Sequence, residues 1–232
     1  MMHSFPVVFF PGTQCDERLW LPLWREMHIH ERRYVPLQWA ETLEQMDGLS
    51  QHAVGEDKVH LVAFSMGGYL ASRFALAHPQ QIASLTLIGF CSAGLEEREL
   101  KQRQLIINAL EKGQFRPMSN ERLSMMVHPH SPNRQMAEQT IREMEQDLGA
   151  SVLKYHLMAA SNRPDLTPAL AKAPFPIYII AAEQDQVAQL SKMQAMHQGI
   201  PQASLKVFAD AGHMLPLEQP QLLAAELAQR LA

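Results

Sequence analysis

Cysteine is scarce. Cys15 and Cys91 are the only two in 232 residues, so no disulfide framework can hold a chain of this length, and two free thiols are expected. Their separation fits no zinc-ligand spacing. Long apolar runs are also missing, none reaching the ~18 residues that a membrane span requires. The opening Met1-Met2-His3-Ser4 has neither the basic nor the apolar region of a secretory leader, so a cytoplasmic location without membrane association is expected. Positive charge is not in excess, because 20 Lys and Arg stand against 24 Asp and Glu for a formal net charge of −4. Such a balance gives phosphate backbones no general attraction, and nucleic acid is not an expected partner. Histidine is more plentiful, at 11, yet the residues are scattered. The one close pair, His128 and His130, flanks Pro129 without further ligands nearby, so neither a metal nor a cofactor is expected.

What is present is ordinary globular material, with 47% hydrophobic and 19% charged residues. Surface scaling lets a chain of this size bury roughly 72% of its extended area, enough for one sizeable core. Phe5 to Phe10 is an apolar run stopped by Pro11-Gly12, which reads as a strand buried on both faces. A helical stretch over residues 19–27, a weak strand over 33–37 and a helical stretch over 40–53 follow. Val59 to Phe64 is a strong strand that runs directly into a helix from Met66 to His78, stopped by Pro79. Further strands are expected at Leu85 to Phe90, Ile177 to Ala181 and Leu205 to Phe208. The last helix opens at Pro220 and carries Leu222, Leu223, Leu227 and Leu231 on one stripe. Strands alternating with helices imply right-handed crossovers and an α/β fold, a mostly parallel sheet of about six strands covered on both faces.

Between Ser92 and Pro168 the strand-like runs vanish and helical patterns take over. The chain therefore divides into a core of residues 1–91 and 169–232 and a helical lid of residues 92–168. The lid's ten basic and ten acidic residues balance, so nothing in its overall charge marks a trap for a charged substrate. Met118, Met125, Met126, Met136, Met144 and Met158 also lie here; they fill loosely packed helices or form a deformable apolar wall for a substrate.

Ser65 sits at the junction of the strand Val59 to Phe64 and the helix that follows, where a nucleophile's hydroxyl is exposed at the carboxyl edge of a sheet. The tight turn needs small residues two before and two after, and Ala63 and Gly67 supply them. A serine hydroxyl needs a base, and the base needs an orienting carboxylate. His213 follows the last strand and reaches the same edge. The remaining histidines read as surface or satisfied core groups. Asp185 follows the strand Ile177 to Ala181 and is the expected acid, with Glu183 and Asp210 as rivals. The oxyanion donors are expected from the N–H of Met66, at a helix start, and of Thr13, in the loop opened by Pro11-Gly12. Gly12→Val should cost activity with little loss of stability.

The order Ser65, Asp185, His213, with an oxyanion loop before them and a helical insertion between nucleophile and acid, resembles the α/β-hydrolase superfamily. Ala77-His78-Pro79 leading into Leu85-Thr86-Leu87-Ile88, and Gly212-His213 followed by Leu217-Glu218-Gln219-Pro220, extend the resemblance to nearly the whole chain. Within the superfamily it is similar to small lidded carboxylesterases of the pimeloyl-carrier-protein methyl ester esterase group. It departs at Ala63, where Gly is usual, and at Pro11, where His is common, and the chain opens at what would be the third strand. The resemblance implies hydrolysis of a small carboxylic ester or thioester, free or carrier-linked, through an acyl-enzyme. Two alternatives stand beside it: carbon–carbon bond chemistry with the same triad, as in the menaquinone-pathway synthase, and a catalytically silent binding protein. That synthase carries Arg after its Ser-x-Gly-Gly, where this chain has Tyr69.

Overall fold

A computed structural model describes residues 5–231; the opening residues 1–4, read above for a leader, lie outside the described part. The elements run β1 (Val7–Phe10), α1 (Leu21–Glu26), β2 (Arg32–Tyr34), α2 (Leu43–Val54), β3 (Val59–Phe64), α3 (Met66–Ala77) and β4 (Ile82–Ile88). Then come α4 (Glu97–Glu111), α5 (Asn120–Met126), α6 (Arg134–Ser161), α7 (Thr167–Leu170), β5 (Ile177–Ala182), α8 (Leu190–Gly199), β6 (Ser204–Phe208), α9 (Leu215–Glu218) and α10 (Pro220–Arg230). The six strands form one sheet in the order β2-β1-β3-β4-β5-β6, parallel at every pairing.

The apolar runs of the strands follow from cover on both sheet faces. Alternate residues go to opposite sides: Val8, Phe10, Leu61, Ala63, Leu85 and Ile179 join one cluster with residues of α2, α3 and α8. Val7, Phe9, Val62, Phe64, Ile88 and Ile180 join the other, with residues of α1, α9 and α10. The chain leaves β1 for β2 on one side and returns to β3 on the other, so the carboxyl ends of β1 and β3 flank the point where the winding direction reverses. Crevices open there in such sheets.

Several boundaries differ from the sequence reading. The weak second strand stops at Tyr34, because Pro36 lacks an N–H and the chain turns into a short 3₁₀ segment, Leu37–Trp39. The strand expected at residues 85–90 begins at Ile82 and ends at Ile88, where Gly89 turns away with φ +56°. On α10, Leu223, Leu227 and the following Leu231 are buried, but Leu222 is 59% exposed and leaves the expected stripe. Between β4 and β5 all described elements are helices, and α7 straddles the expected boundary at residue 168. The longest of them, α6, breaks at Gly149, whose φ of 66° and ψ of −168° are not helical.

Among the described residues no helix is long and apolar enough to cross a membrane. Among the described residues no three His, Cys, Asp or Glu side chains are grouped to hold a metal ion.

Candidate active site

Ser65 occupies the junction between β3 and α3 with φ 51° and ψ −119°. An L-residue at positive φ carries a strain of about 1–3 kcal/mol, which the surrounding structure must hold. The hold is visible: Ser65 N–H continues the ladder to Ile88 O at 2.9 Å, and Gly68 N–H returns to Ser65 O at 2.9 Å. The turn also presses α3 against β1. A Cβ on Gly67 would lie 2.4 Å from Pro11 O and 2.6 Å from Phe10 O, and one on Gly68 2.5 Å from Phe90 Cγ. Glycine at these two positions is therefore a packing requirement.

Ser65 Oγ lies 3.1 Å from His213 Nε2, and His213 Nδ1 lies 2.8 Å from Asp185 Oδ2. Asp185 Oδ1 accepts the N–H groups of Val187 and Ala188, both at 2.7 Å. Burial raises the Asp185 pKa, but the charge and hydrogen bond of His213 and those two N–H groups outweigh it and hold the carboxyl below its ordinary value. With the carboxylate ionised, Nδ1 carries the imidazole proton and Nε2 is the acceptor for the serine hydroxyl. The His213 ring stacks on Phe64, centroids 4.9 Å apart, and lies against Gly89, where a Cβ would come within 3.4 Å of it. Glu183 and Asp210, the rival acids, are exposed and form no hydrogen bond or ion pair with His213.

Thr13 and Met66 line one cavity of about 420 Å³ together with Ser65 and His213. Neither of their N–H groups is hydrogen-bonded among the described residues, which leaves both open to an acceptor in the cavity. A Cβ on Gly12 would meet the Phe64 ring at 2.8 Å and Ser65 Cβ at 3.3 Å. The expectation that Gly12→Val leaves stability intact is thereby corrected, since Phe64 is a buried core ring. Of the two readings of the methionines of residues 92–168, the substrate wall is not what lines this cavity. Glu96, Glu99, Arg103, Arg163 and Asp165 line it, and none of the six methionines of residues 92–168 does. Met144 is buried in the core, while Met125 and Met158 are exposed. A second hollow of about 620 Å³, lined by Trp24, Arg33, Trp39 and His52 among others, shares none of these residues.

Two buried groups beside the site had no role assigned from the sequence, Glu218 being only part of the run Leu217-Glu218-Gln219-Pro220 and His156 one of the remaining histidines. Glu218 is wholly buried and accepts the N–H groups of Gly212 at 3.0 Å and His128 at 2.8 Å. Burial raises its pKa, with those N–H groups opposing the shift. It clamps the loop that carries His213 onto the segment after α5. His156, in α6, does the same for the other edge of the cavity, accepting Gln14 N–H at 3.0 Å. The His128 and Gln14 N–H groups they accept lie far away in sequence, so spacing could not reveal those contacts.

The model of the α/β-hydrolase fold family matches residues 37–220 of this chain. The chain is 27% identical over 185 residues to the monoacylglycerol lipase ABHD6 of Bos taurus, covering 75% of this chain and 54% of that one. It thus spans about half the length of that lipase. A Bacillus subtilis protein with the provisional name 2-succinyl-6-hydroxy-2,4-cyclohexadiene-1-carboxylate synthase is 24% identical over 220 residues, 88% of this chain and 75% of its own. Among solved structures, a thermophilic esterase from Thermogutta terrifontis superposes with a TM-score of 0.84 at 22% identity, covering 100% of this chain and 90% of that one.

Proposed function

The chain belongs to the α/β-hydrolase family, and from that premise we propose that it is a serine hydrolase cleaving a small carboxylic ester or thioester, free or carrier-linked. The observation that carries this reading is the hydrogen-bonded chain from Ser65 through His213 to Asp185, with Ser65 held on its strained turn. Ser65 Oγ attacks the carbonyl carbon as His213 Nε2 takes its proton, and ionised Asp185 stabilises the imidazolium. The carbonyl oxygen becomes an oxyanion received by the N–H groups of Thr13 and Met66, each such donor being worth ~3 kcal/mol in other hydrolases. Collapse expels the alcohol or thiol, which takes the proton from His213. Water activated by the same ring then releases the acid and restores Ser65. In this reading residues 92–168 are the lid, because five of their charged side chains line the cavity.

Turnover of short nitrophenyl esters, together with fluorophosphonate labelling that is lost in Ser65→Ala, tests the assignment. Absence of both would overturn it. The similarity to the Bacillus subtilis protein over 88% of this chain favours carbon–carbon bond chemistry as the second reading. Tyr69, buried beneath the turn, stands where that synthase type carries Arg and weighs against it. Fluorophosphonate labelling without any ester turnover would favour this second reading.

A further inference from the structure

The charged side chains around the cavity are paired or capped, with one exception. Glu99 bonds Arg103 at 3.0 Å, and Glu96 bonds Lys192 at 2.6 Å. Arg103 also reaches Ala160 O at 3.5 Å, and Asp165 Oδ1 accepts Thr167 N–H at 2.8 Å. Arg163 makes no hydrogen bond or ion pair with any described residue. Its Nε is buried without a partner, and its guanidinium stacks over the Phe90 ring at 5.5 Å. Burial, with Arg103 close by and Glu99 only partly opposing, pushes its pKa down to about 10, which still leaves it cationic at neutral pH. Its Nε is out of water without a partner, which is unfavourable, and the nearby Glu99 carboxylate attracts the guanidinium only through space, its bond going to Arg103. Five N–H donors in a planar fork match an anionic oxygen group better than any other ligand. The cation also lines the same cavity as Ser65 and His213.

We propose that Arg163 is the specificity residue of this cavity and binds an anionic group, carboxylate or phosphate, at the far end of the substrate from the scissile bond. The inference takes the position of that bond from the hydrolase reading above. A cavity of about 420 Å³ is near the small end of ligand pockets, so the two ends are separated by a short chain. The balanced charge count of residues 92–168 hides this cation, because the other charges lining the cavity are paired or capped.

The test compares kcat/KM for nitrophenyl esters of equal chain length ending in methyl, carboxylate or phosphonate. Wild-type protein should prefer one anionic series at least tenfold, and the series preferred identifies the anion. Arg163→Gln should reduce the ratio of anionic to neutral kcat/KM at least tenfold, with Arg163→Lys retaining part of it. Arg163→Gln should also unfold close to the wild-type temperature, because the Phe90 contact it loses is offset by removal of an unpaired buried Nε; a large fall in the midpoint would assign Arg163 a structural role and overturn the proposal. Calorimetric titration of Ser65→Ala with glutarate and with phosphonobutyrate gives a readout independent of turnover. Neutral esters cleaved with no anionic preference would sink the subsite and leave the hydrolase reading standing. No turnover of any ester, but anion binding by Ser65→Ala that Arg163→Gln abolishes, would sink the hydrolase reading and leave the subsite standing.

Discussion

The peptide N–H of Gln14 donates to His156 Nδ1 at 3.0 Å, and Nε2 of the same ring bonds the carbonyl of Leu37 at 3.1 Å. An acceptor on one nitrogen and a donor on the other require the neutral ring. Gln14 follows Thr13 directly, and its side chain reaches Gly149 O at 3.0 Å, the point where α6 breaks. Gln14 is also held at φ 51°. The loop bearing Thr13 is thus fastened to α6 at its break and in the half that follows.

Acid stability should report on this ring. Burial lowers the His156 pKa from 6.5 to about 4, only partly opposed by Leu37 O. Its folded pKa lies below the unfolded value, so its contribution is complete above pH 6.5 and is lost as pH falls towards 4. Thermal midpoints of wild type should drop across that window, and His156→Gln, though less stable overall, should show a shallower slope. Parallel slopes would mean that His156 does not titrate as described.

The choice among the three acids is open to direct measurement. Asp185→Asn should lower kcat by roughly 10³-fold or more with the fold retained. Asp210→Asn and Glu183→Gln, both changes at exposed side chains, should stay within a few-fold of wild type in nitrophenyl ester assays. An inactive Asp210→Asn beside an active Asp185→Asn would reverse the assignment.

Two glycine variants should differ in what they lose. Gly67→Ala places a methyl 2.4 Å from the Pro11 carbonyl oxygen, a clash with backbone that cannot turn aside. Overpacking of this kind costs typically 1–3 kcal/mol, and denaturant melts should show at least that loss. Gly12→Ala places a methyl 2.8 Å from the buried Phe64 ring and 3.3 Å from Ser65 Cβ, so besides a loss of stability it should disturb Ser65 and show the larger loss of kcat.

Removing the Glu218 carboxylate should loosen the His213 loop. Glu218→Ala leaves the Gly212 and His128 N–H groups without their acceptor, at about 1–3 kcal/mol for each buried orphan. Hydrogen exchange at Gly212 should accelerate relative to wild type. Unchanged protection there would show that the clamp is not needed.

Chain order and local pattern were enough to read the strands, because apolar residues on both sides of a strand require a parallel sheet covered on both faces. They were enough, too, to single out Ser65, since its turn is built from near neighbours: β3 before it, Gly67 and Gly68 after it. Most of what joins distant parts of the chain was not legible there. Chain order favoured Asp185 as the partner of His213 but left Glu183 and Asp210 as rivals, because the choice depends on how two loops meet, 28 residues apart in sequence. The bond between Gln14 and His156 spans 142 residues, and Glu218 reaches His128 across 90. The methionines of residues 92–168 gave no hint that paired charges and Arg163 would line the cavity instead. Whether a buried charge or N–H finds a partner is decided by what packs opposite it, and only the tertiary structure specifies that.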